Sequence, residues 1–399
     1  MISKFASYNF SNQKTLVRVD FNVPLDENNI IVDDTRIQAS ILTIQKIIAD
    51  GGSVILMSHL GRPKDGPNKK YSLTHILCHL KSLLNKKEIL FADDCIGQSA
   101  IQQSKSLQPG QVLLLENVRF YKEEEKGDIA FAKKLSALGD VYVNDAFGTA
   151  HRAHASTAII AQFFPKEKKM FGLLMENEIE NAKKILHDAQ SPFTAIIGGA
   201  KVSDKILIIE NLLKKANHII IGGGMAYTFI KAESGNIGKS LCEDDKTETA
   251  KYLLQIAKQK SVTIHLPVDS VIANQFSANA KTKTSNSHNI DKDWMGLDIG
   301  PKACEQFSAV IKKSKTILWN GPMGVFEMKP FENGTKSVAN ALAQATQQGA
   351  FSLIGGGDSV AAIHQFKLAD QVSYISTGGG AMLEYFEGKI LPGIAAIES

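Results

Sequence analysis

Residues 351–359 read FSLIGGGDS, a short apolar run that stops at three glycines and an aspartate. A run this brief is a candidate for a buried strand, and the glycines let the backbone turn sharply while its amides stay bare of side chains. The device recurs at 221–225 (IGGGM) and at 377–381 (TGGGA), with a shorter form at 197–201 (IGGAK), so all four copies lie in the second half of the chain. A row of bare amides at the start of a helix is suited to phosphate oxygens, because the helix adds its positive end. For any single copy, tight strand-to-helix packing explains the glycines equally well.

Working outward, strand-like runs alternate with helical patterns almost throughout. Thr15–Val19, Ser53–Met57, Val112–Leu115 and Val141–Val143 are rich in Val, Ile or Leu and are each followed by a polar or glycine-containing loop. The second half repeats the scheme at Ala195–Ile197, Ile219–Ile221, Val262–Leu266, Thr316–Trp319, Phe351–Ile354 and Val372–Ile375. Between the first runs, 36–49 sets Ile37, Ile41, Ile44 and Ile48 at helical spacing, and Gly51-Gly52 stops it. Strand, loop, helix, strand is the grammar of a parallel sheet covered on both faces. A chain of 399 residues suits two such domains. A helical stretch from about Leu173 to Gln190, closed by Ser191-Pro192, reads as the connector between them. The fold class predicted is therefore α/β: two doubly wound parallel-sheet (Rossmann-like) domains joined by a helical hinge, with boundaries at 1–172 and 173–390. The segment 277–293, SANAKTKTSNSHNIDKD, is polar and patternless and reads as an excursion loop.

Composition narrows the function classes. Net charge is +4, a weak excess that neither demands nucleic acid nor excludes a small anionic ligand. No segment approaches the ~18 apolar residues of a membrane span, and the N-terminus lacks a secretory pattern. The four cysteines are far apart, with no C-x-x-C pair, which reads as free thiols in a reducing compartment. These features predict a cytoplasmic protein.

In the first half the loops after the strands carry arginine: Arg36, Arg62, Arg119 and Arg152, together with Asp20, His59, His151 and His154. Loops at the carboxyl ends of parallel strands meet at one edge, so these guanidiniums converge there. Clustered guanidiniums repel unless an anion sits among them, and their planar forks suit phosphate or carboxylate. Surface ion pairing remains the alternative for each one taken singly. His75, Cys78 and His79 share one helix at a spacing that could hold a metal, but no second ligand pair accompanies them.

In the second half, Lys201 and Lys205 follow a glycine pair and set ammonium groups near phosphates. Asp358 follows three glycines and could meet Mg2+, which prefers carboxylate, water and phosphate oxygens. Glu327, in WNGPMGVFE at 319–327, is placed to accept ribose hydroxyls. Two familiar fingerprints fail. Tyr227, Val360 and Leu383 stand where G-x-G-x-x-G needs its third glycine, and GNIGKS at 235–240 lacks the first glycine of a phosphate loop and follows a helix.

These stretches resemble the phosphoglycerate kinase family from end to end. The matching segments are VRVDFNVP (17–24), SHLGRP (58–63), ENVRF (116–120), NDAFGTAHRAHAS (144–156), GGAKVSDK (198–205), GGGMA (222–226), WMGLDIGP (294–301), WNGPMGVFE (319–327), GGGDS (355–359) and STGGGA (376–381). The resemblance implies a reversible phosphoryl transfer between 1,3-bisphosphoglycerate and ADP, giving 3-phosphoglycerate and ATP with Mg2+. It implies phosphoglycerate binding through Asp20, Phe21, Asn22, Arg36, His59, Leu60, Gly61, Arg62, Arg119 and Arg152. It implies nucleotide binding through Lys201, Lys205, Gly296, Glu327, Gly356, Gly357, Asp358 and Ser359, with Asp358 serving the metal and Arg36, Lys201 and Gly379 serving catalysis. A terminal segment, 391–399, is expected to return to the first domain, and the chain to act as a monomer without nucleic-acid or membrane partners. A nonenzymatic nucleotide switch would have no use for the separate arginine cluster. A dinucleotide-dependent dehydrogenase is opposed by the missing third glycines.

Arginines in one half and glycines in the other predict separate ligands for the two halves. Calorimetry on a folded fragment spanning about 173–390 is expected to show Mg-ADP binding. A folded fragment without nucleotide affinity would remove this division.

Overall fold

The computed structural model describes residues 4–64, 66–85 and 88–399, and the chain forms two compact units, Met1–Glu180 with Ile390–Ser399, and Asn181–Lys389. The division falls inside the helix Leu173–Leu186, which begins at the boundary expected from the sequence and ends short of Gln190.

The first unit is built on six strands, β1 (Lys14–Val19), β2 (Ser53–Met57), β3 (Ile89–Ala92), β4 (Val112–Leu115), β5 (Val141–Asp145) and β6 (Lys169–Phe171). They lie in the order β3-β4-β2-β1-β5-β6, all parallel. Their near-continuous apolar sequences follow from burial of both faces. On one face Val17, Val54, Leu56, Leu114 and Val143 pack on Ile37, Ile44 and Ile47 of the helix Thr35–Ala49. On the other, Leu16, Ile55, Leu113 and Tyr142 pack on Phe131, Leu135, Ile160 and Ile397. Ile397 belongs to the terminal helix Pro392–Glu398, so the end of the chain completes this core. The terminal segment is fastened by the Gly393 amide, which donates to Ala150 O at 2.8 Å. Gly393 itself allows that approach, since a Cβ there would stand 3.0 Å from Ala150 Cα.

The second unit carries, in chain order, β7 (Phe193–Ile197), β8 (His218–Ile221), β9 (Asn236–Ile237), β10 (Thr263–His265), β11 (Asp269–Ala273), β12 (Thr282–Asn286), β13 (Asn289–Ile290), β14 (Met295–Ile299), β15 (Thr316–Asn320), β16 (Phe351–Ile354) and β17 (Tyr374–Ile375). Its main sheet, β10-β8-β7-β15-β16-β17, is again six-stranded and parallel. A three-stranded antiparallel sheet, β12-β11-β14, stands beside it. The expected excursion loop at 277–293 is corrected here, because β12 runs through it. The residues of β12, TKTSN, are mostly exposed, and an edge strand with polar side chains leaves no apolar alternation to read. Among the described residues, no helix is long and apolar enough to cross a membrane.

The edge of the first sheet is tied to the connecting helix by a buried carboxyl. Asp145, the last residue of β5, accepts the Met175 amide at 3.2 Å, and Gly172 presses so close that a Cβ would lie 2.3 Å from Asp145 Oδ1. Burial pushes the Asp145 carboxyl up to about 7, and burial does the same to Asp298 of β14. The folded chain therefore holds protons that the unfolded chain has already released between about pH 4 and 7, so these groups stabilise at low pH and lose that effect as pH rises through 7. A tenfold change in proton affinity is worth about 1.4 kcal/mol, so each carboxyl contributes a few kcal/mol at most. Asp145→Asn is expected to melt below the parent at pH 5 by more than it does at pH 8, where the parent has lost the benefit. Calorimetry across that range checks this, and a gap in Tm that does not change with pH would count against it.

Candidate active site

Four loops leave the carboxyl ends of β1, β2, β4 and β5, and they deliver their polar residues to one place. The anchor is Arg18, within β1 and fully buried. Its Nε donates to Ser156 Oγ at 2.8 Å, its second nitrogen to the Val19 carbonyl, and its third to His59 Nδ1 at 3.2 Å. Because a guanidinium has no acceptor, His59 Nδ1 must carry the lone pair and its proton sits on Nε2. The Ser156 hydroxyl in turn donates a hydrogen bond to Glu124 Oε1 at 2.6 Å, and its amide donates to Glu124 Oε2 at 2.9 Å. The chain Arg18–Ser156–Glu124 thus neutralises a buried charge through a hydroxyl.

Around this anchor stand the residues expected from the sequence. Asp20 lies 3.7 Å from His59 Nδ1 and 3.5 Å from Arg36, whose guanidinium also donates to Asn22 O at 2.8 Å. Surface ion pairing was the alternative for Arg36, and its near neighbours in the chain, Asp33 and Asp34, are not the partners. Instead Asp33 caps Thr35, and Asp34 holds His79 at 2.7 Å. Phe21 N donates to Ser58 Oγ at 2.8 Å, and the Asn22 side chain accepts the Gly61 amide at 2.8 Å. Asn117 binds the loops together, donating to Leu60 O at 2.8 Å and Tyr71 O at 2.9 Å while accepting Arg119 N at 3.0 Å. Gly61, at φ +64, is pressed on the Tyr71 ring, which a Cβ would meet at 2.3 Å. Arg119 donates to Gly61 O at 2.9 Å and lies 3.4 Å from Glu125. Arg152 donates to His151 Nε2 at 3.1 Å. Arg62 is exposed and has no ion pair among the described residues.

The electrostatics of this basin are positive. Burial drives the His59 imidazole well below its ordinary range, helped by Arg18, Arg119 and Arg36. Burial and then Arg119, Arg18 and Arg152 bring His154 down to about 3. Arg119 is itself lowered to about 10, by burial and by Arg18. Glu124 moves the other way, raised by burial against the pull of Arg18. The basin therefore holds several guanidiniums and neutral histidines, with few carboxylates, and is chemically suited to an anion. The histidines and cysteine noted for metal spacing are engaged elsewhere or exposed: His75 bonds Lys69 O at 2.7 Å, His79 holds Asp34, and Cys78 faces solvent.

In the second unit the glycine stretches line a cavity of about 520 Å3. Its walls include Gly199, Gly224, Tyr227, Gly296, Glu327 and Asp358. The glycines do two different jobs. Those after β7, β8 and β15 lie backbone against backbone: a Cβ on Gly198 would stand 2.1 Å from Pro322 O, and one on Gly223 2.6 Å from Gly199 O. Gly379 is likewise pressed on Gly356, with 2.8 Å to its Cα. Gly357 and Gly380 face open space, so no protein atom requires glycine there. The packing explanation thus accounts for the 222–224 stretch, whereas at 357 and 380 a side chain would meet no protein atom. Gly356, at φ +92, turns the chain into the helix Gly357–Gln365, which starts with Asp358 and the buried Ser359; Ser359 Oγ accepts Gly321 N at 2.5 Å.

Lys205 reaches back to the Asn320 side chain, whose amide donates to Gly355 O at 2.8 Å. Burial lowers the Lys205 ammonium, with Asp204 and Asp358 acting against it. Lys201 is exposed. Gly296 lies directly over the Tyr227 hydroxyl, which a Cβ would meet at 1.7 Å. Apolar side chains also line the cavity, among them Leu241, Pro267, Phe276, Met295 and Val325.

Several residues of both sites were not singled out from the sequence. Glu124 sits in a short helix, where nothing local distinguishes it from a surface charge; Arg18 was read with the strand-end stretch RVDFN (18–22), whereas the structure buries it inside β1. Asn320 and Phe276 carried a faint signal, one inside WNGP and one an exposed aromatic at the edge of a polar stretch.

The family model described as phosphoglycerate kinase matches residues 5–389. A phosphoglycerate kinase of Porphyromonas gingivalis is 54% identical over 414 residues, covering 98% of this chain and 99% of that one. One from Nostoc is 51% identical, covering 100% of this chain and 98% of the other. The solved structure of phosphoglycerate kinase from Coxiella burnetii superposes with a TM-score of 0.88 at 40% identity, over 98% of both chains.

A positive basin has a measurable signature. In NMR titrations, the His154 and His59 ring protons are expected to hold their neutral-state shifts from pH 8 down to 5. Arg119→Met is expected to move the His154 midpoint upward. Protonation of His154 near pH 6.5 in the parent would show that the guanidinium field is not felt there.

Proposed function

The chain belongs to the phosphoglycerate kinase family, and on that premise we propose that its two units divide the substrates of the reaction, the arginine basin taking the phosphoglycerate and the glycine-walled cavity the nucleotide. The reaction is the reversible transfer of a phosphoryl group between 1,3-bisphosphoglycerate and ADP, giving 3-phosphoglycerate and ATP. The observation that carries the division is the basin itself, where buried Arg18 stands with Arg36 and Arg119 beside His59 and Asp20 at the carboxyl ends of the strands.

In this reading Arg119 and Arg152 grip the stationary phosphate of phosphoglycerate, with Arg62 reaching in from its exposed loop. Asp20 and Asn22 orient the glycerate, and Phe21, His59, Leu60 and Gly61 shape the surface beneath it. The cavity takes the base between Phe276, Met295 and Leu241, the ribose at Glu327, and the phosphates at Lys201, Lys205 and the amides of Gly356 to Ser359. Gly379, Lys201 and Arg36 serve the group in transfer.

Magnesium fits this cavity as a passenger of the nucleotide. Asp358 is an exposed carboxylate at the phosphate end, where it would repel phosphate without a cation between them. Among the described residues no group of three or more His, Cys, Asp or Glu gathers to hold a metal, so phosphate oxygens and water would complete the coordination. When bound, the ion neutralises phosphate charge.

A carboxylate with a pKa near ~4 is already ionised at neutral pH, so 3-phosphoglycerate needs no general base to attack the terminal phosphoryl group. The protein supplies position and charge stabilisation. Asp20 is accordingly an orienting group and not a base. Four unpaired cysteines suit a reducing compartment, and on that ground we assign the reaction to the cytoplasm, carried out by a monomer.

Arg36 is the residue through which this reading is most exposed. Its side chain is 36% accessible and lies 3.5 Å from Asp20, free enough to swing to an incoming phosphoryl group. An arginine that stabilises charge spread over the equatorial oxygens is worth ~10³ to 10⁵ in rate. Arg36→Ala is expected to lower kcat by orders of magnitude with modest change in phosphoglycerate affinity, whereas Arg152→Ala raises KM. Steady-state kinetics with 3-phosphoglycerate and ATP decide it, and a near-normal kcat in folded Arg36→Ala would show a structural role.

A further inference from the structure

The strand β10 stands at the edge of the second unit's main sheet and pairs only with β8, Thr263 opposite His218 and His265 opposite Ile220. Residues two apart in a strand share a face, so His218 and His265 are diagonal neighbours on one face of the sheet. Their rings meet there. The centroids are 5.2 Å apart with the planes tilted by 51°, and His265 Nε2 lies 3.1 Å from His218 Nδ1. One of these two nitrogens carries a proton and donates a hydrogen bond to the other. Both residues are half-buried, and the carboxylates that pair with histidine among the described residues serve His59, His79, His154 and His288 instead. Burial lowers the proton affinity of His218, and burial followed by the His218 charge brings His265 down to about 4. Two uncharged imidazoles therefore face each other at neutral pH.

A shared proton and a shared metal ion make a similar demand, two ring nitrogens brought to one point. Zinc holds an imidazole nitrogen at about 2.0 to 2.1 Å, so two such bonds, at an angle between square and tetrahedral, set their nitrogens about 2.9 to 3.4 Å apart. The separation of 3.1 Å falls inside that span. We propose that His218 and His265 form a bidentate site for a transition-metal dication of the imidazole-binding class, Zn(II), Ni(II) or Cu(II), and that the ion clips the edge strand β10 to β8. Imidazole suits these ions, whereas Mg2+ takes oxygen ligands. Neither histidine lines the glycine-walled cavity, so the site is separate from the nucleotide's metal. His218 Nδ1 and His265 Nε2 each give a lone pair, with the ring protons on His218 Nε2 and His265 Nδ1. Binding therefore shifts a tautomer and releases no proton. Among the described residues no third His, Cys, Asp or Glu joins the pair, so water completes the coordination. Structural zinc sites close with four protein ligands, and a site with two stays open and exchangeable.

The probe is NiCl2, chosen because Ni(II) does not oxidise the exposed Cys78 thiol. It is titrated into the full chain without nucleotide or Mg2+ and followed by calorimetry, by melting and by NMR of the histidine ring protons. The tightest calorimetric site is expected in the parent, lost in His218→Gln and in His265→Gln, and kept in His75→Gln, which removes the helical alternative at His75 and His79. With Ni(II) about tenfold above its dissociation constant the parent is expected to melt about 3 to 6 °C higher, a gain absent from both cross-strand variants. In the parent alone, Ni(II) below one equivalent is expected to broaden the His218 and His265 ring signals before any others, a reading that needs no variant to fold. Retention of the tightest site in either cross-strand variant would overturn the proposal, and so would first broadening at His75 and His79. Activity enters none of these readouts, so the outcome is independent of how the two units divide the substrates.

Discussion

Parallel strands cannot be joined by tight turns, so each crosses back under a helix before the next begins. The consequence is that every loop leaving a strand's carboxyl end falls on the same edge of its sheet. In the first unit this one constraint gathers Asp20, His59, Asn117, Arg119 and Arg152, residues scattered over more than a hundred positions, into a single basin. In the second it brings the glycines after β7, β15 and β16 together with Asn320. The interior of both sheets is ordinary aliphatic packing, and what distinguishes the units lies at these edges.

Gathering like charges needs internal compensation. Arg18 is fully buried, and a buried guanidinium left unpaired is strongly destabilising. Its partners are a hydroxyl, a carbonyl, an imidazole and, through Ser156, the buried Glu124. With Glu124 committed to Arg18, little negative charge remains for Arg119, Arg152 and Arg36. Among the described residues only Asp20 and Glu125 form ion pairs with them, at 3.5 Å from Arg36 and 3.4 Å from Arg119. The outer guanidiniums are thereby left with capacity for a ligand anion, and burial, helped by the same field, lowers the proton affinity of His59 and His154. A proposed substrate carrying phosphate and carboxylate supplies the missing charge.

The second unit solves a different problem with backbone. Where Gly198, Gly223 and Gly321 meet, the chains approach so closely that side chains are excluded, and three strand ends are welded together. Beside that rigid floor, Gly357 and Gly380 leave open space where a side chain would stand. The Asn320 amide, between Lys205 and Gly355, ties the ammonium to the same floor. On the proposed reading, phosphates rest on positions fixed by packing, and the base is left to side chains such as Phe276 that project from less regular segments.

How much of this was legible in the chain follows from how local each signal is. The central strands are continuous apolar runs buried on both faces, so SVILM and VLLL could be read directly, as could the helix from Ile37, Ile41, Ile44 and Ile48, although its buried face takes Ile47 and leaves Ile41 and Ile48 half-buried. The α/β class and the arginine-bearing loops follow from that alternation. The edge strand Thr282–Asn286 was not legible, because backbone pairing leaves no mark on exposed polar side chains. Nor could sequence separate the glycines that pack from those that face open space, since both read as GGG and differ only in what stands opposite. By itself the sequence determined the alternating elements, the two-part plan and the residue types offered at each strand end, because these depend on local periodicity and chain direction. Tertiary structure alone decided that Arg18 and Glu124 share a buried hydroxyl and that Arg36 turns to Asp20 instead of Asp33 or Asp34, because each depends on which distant strand becomes the neighbour.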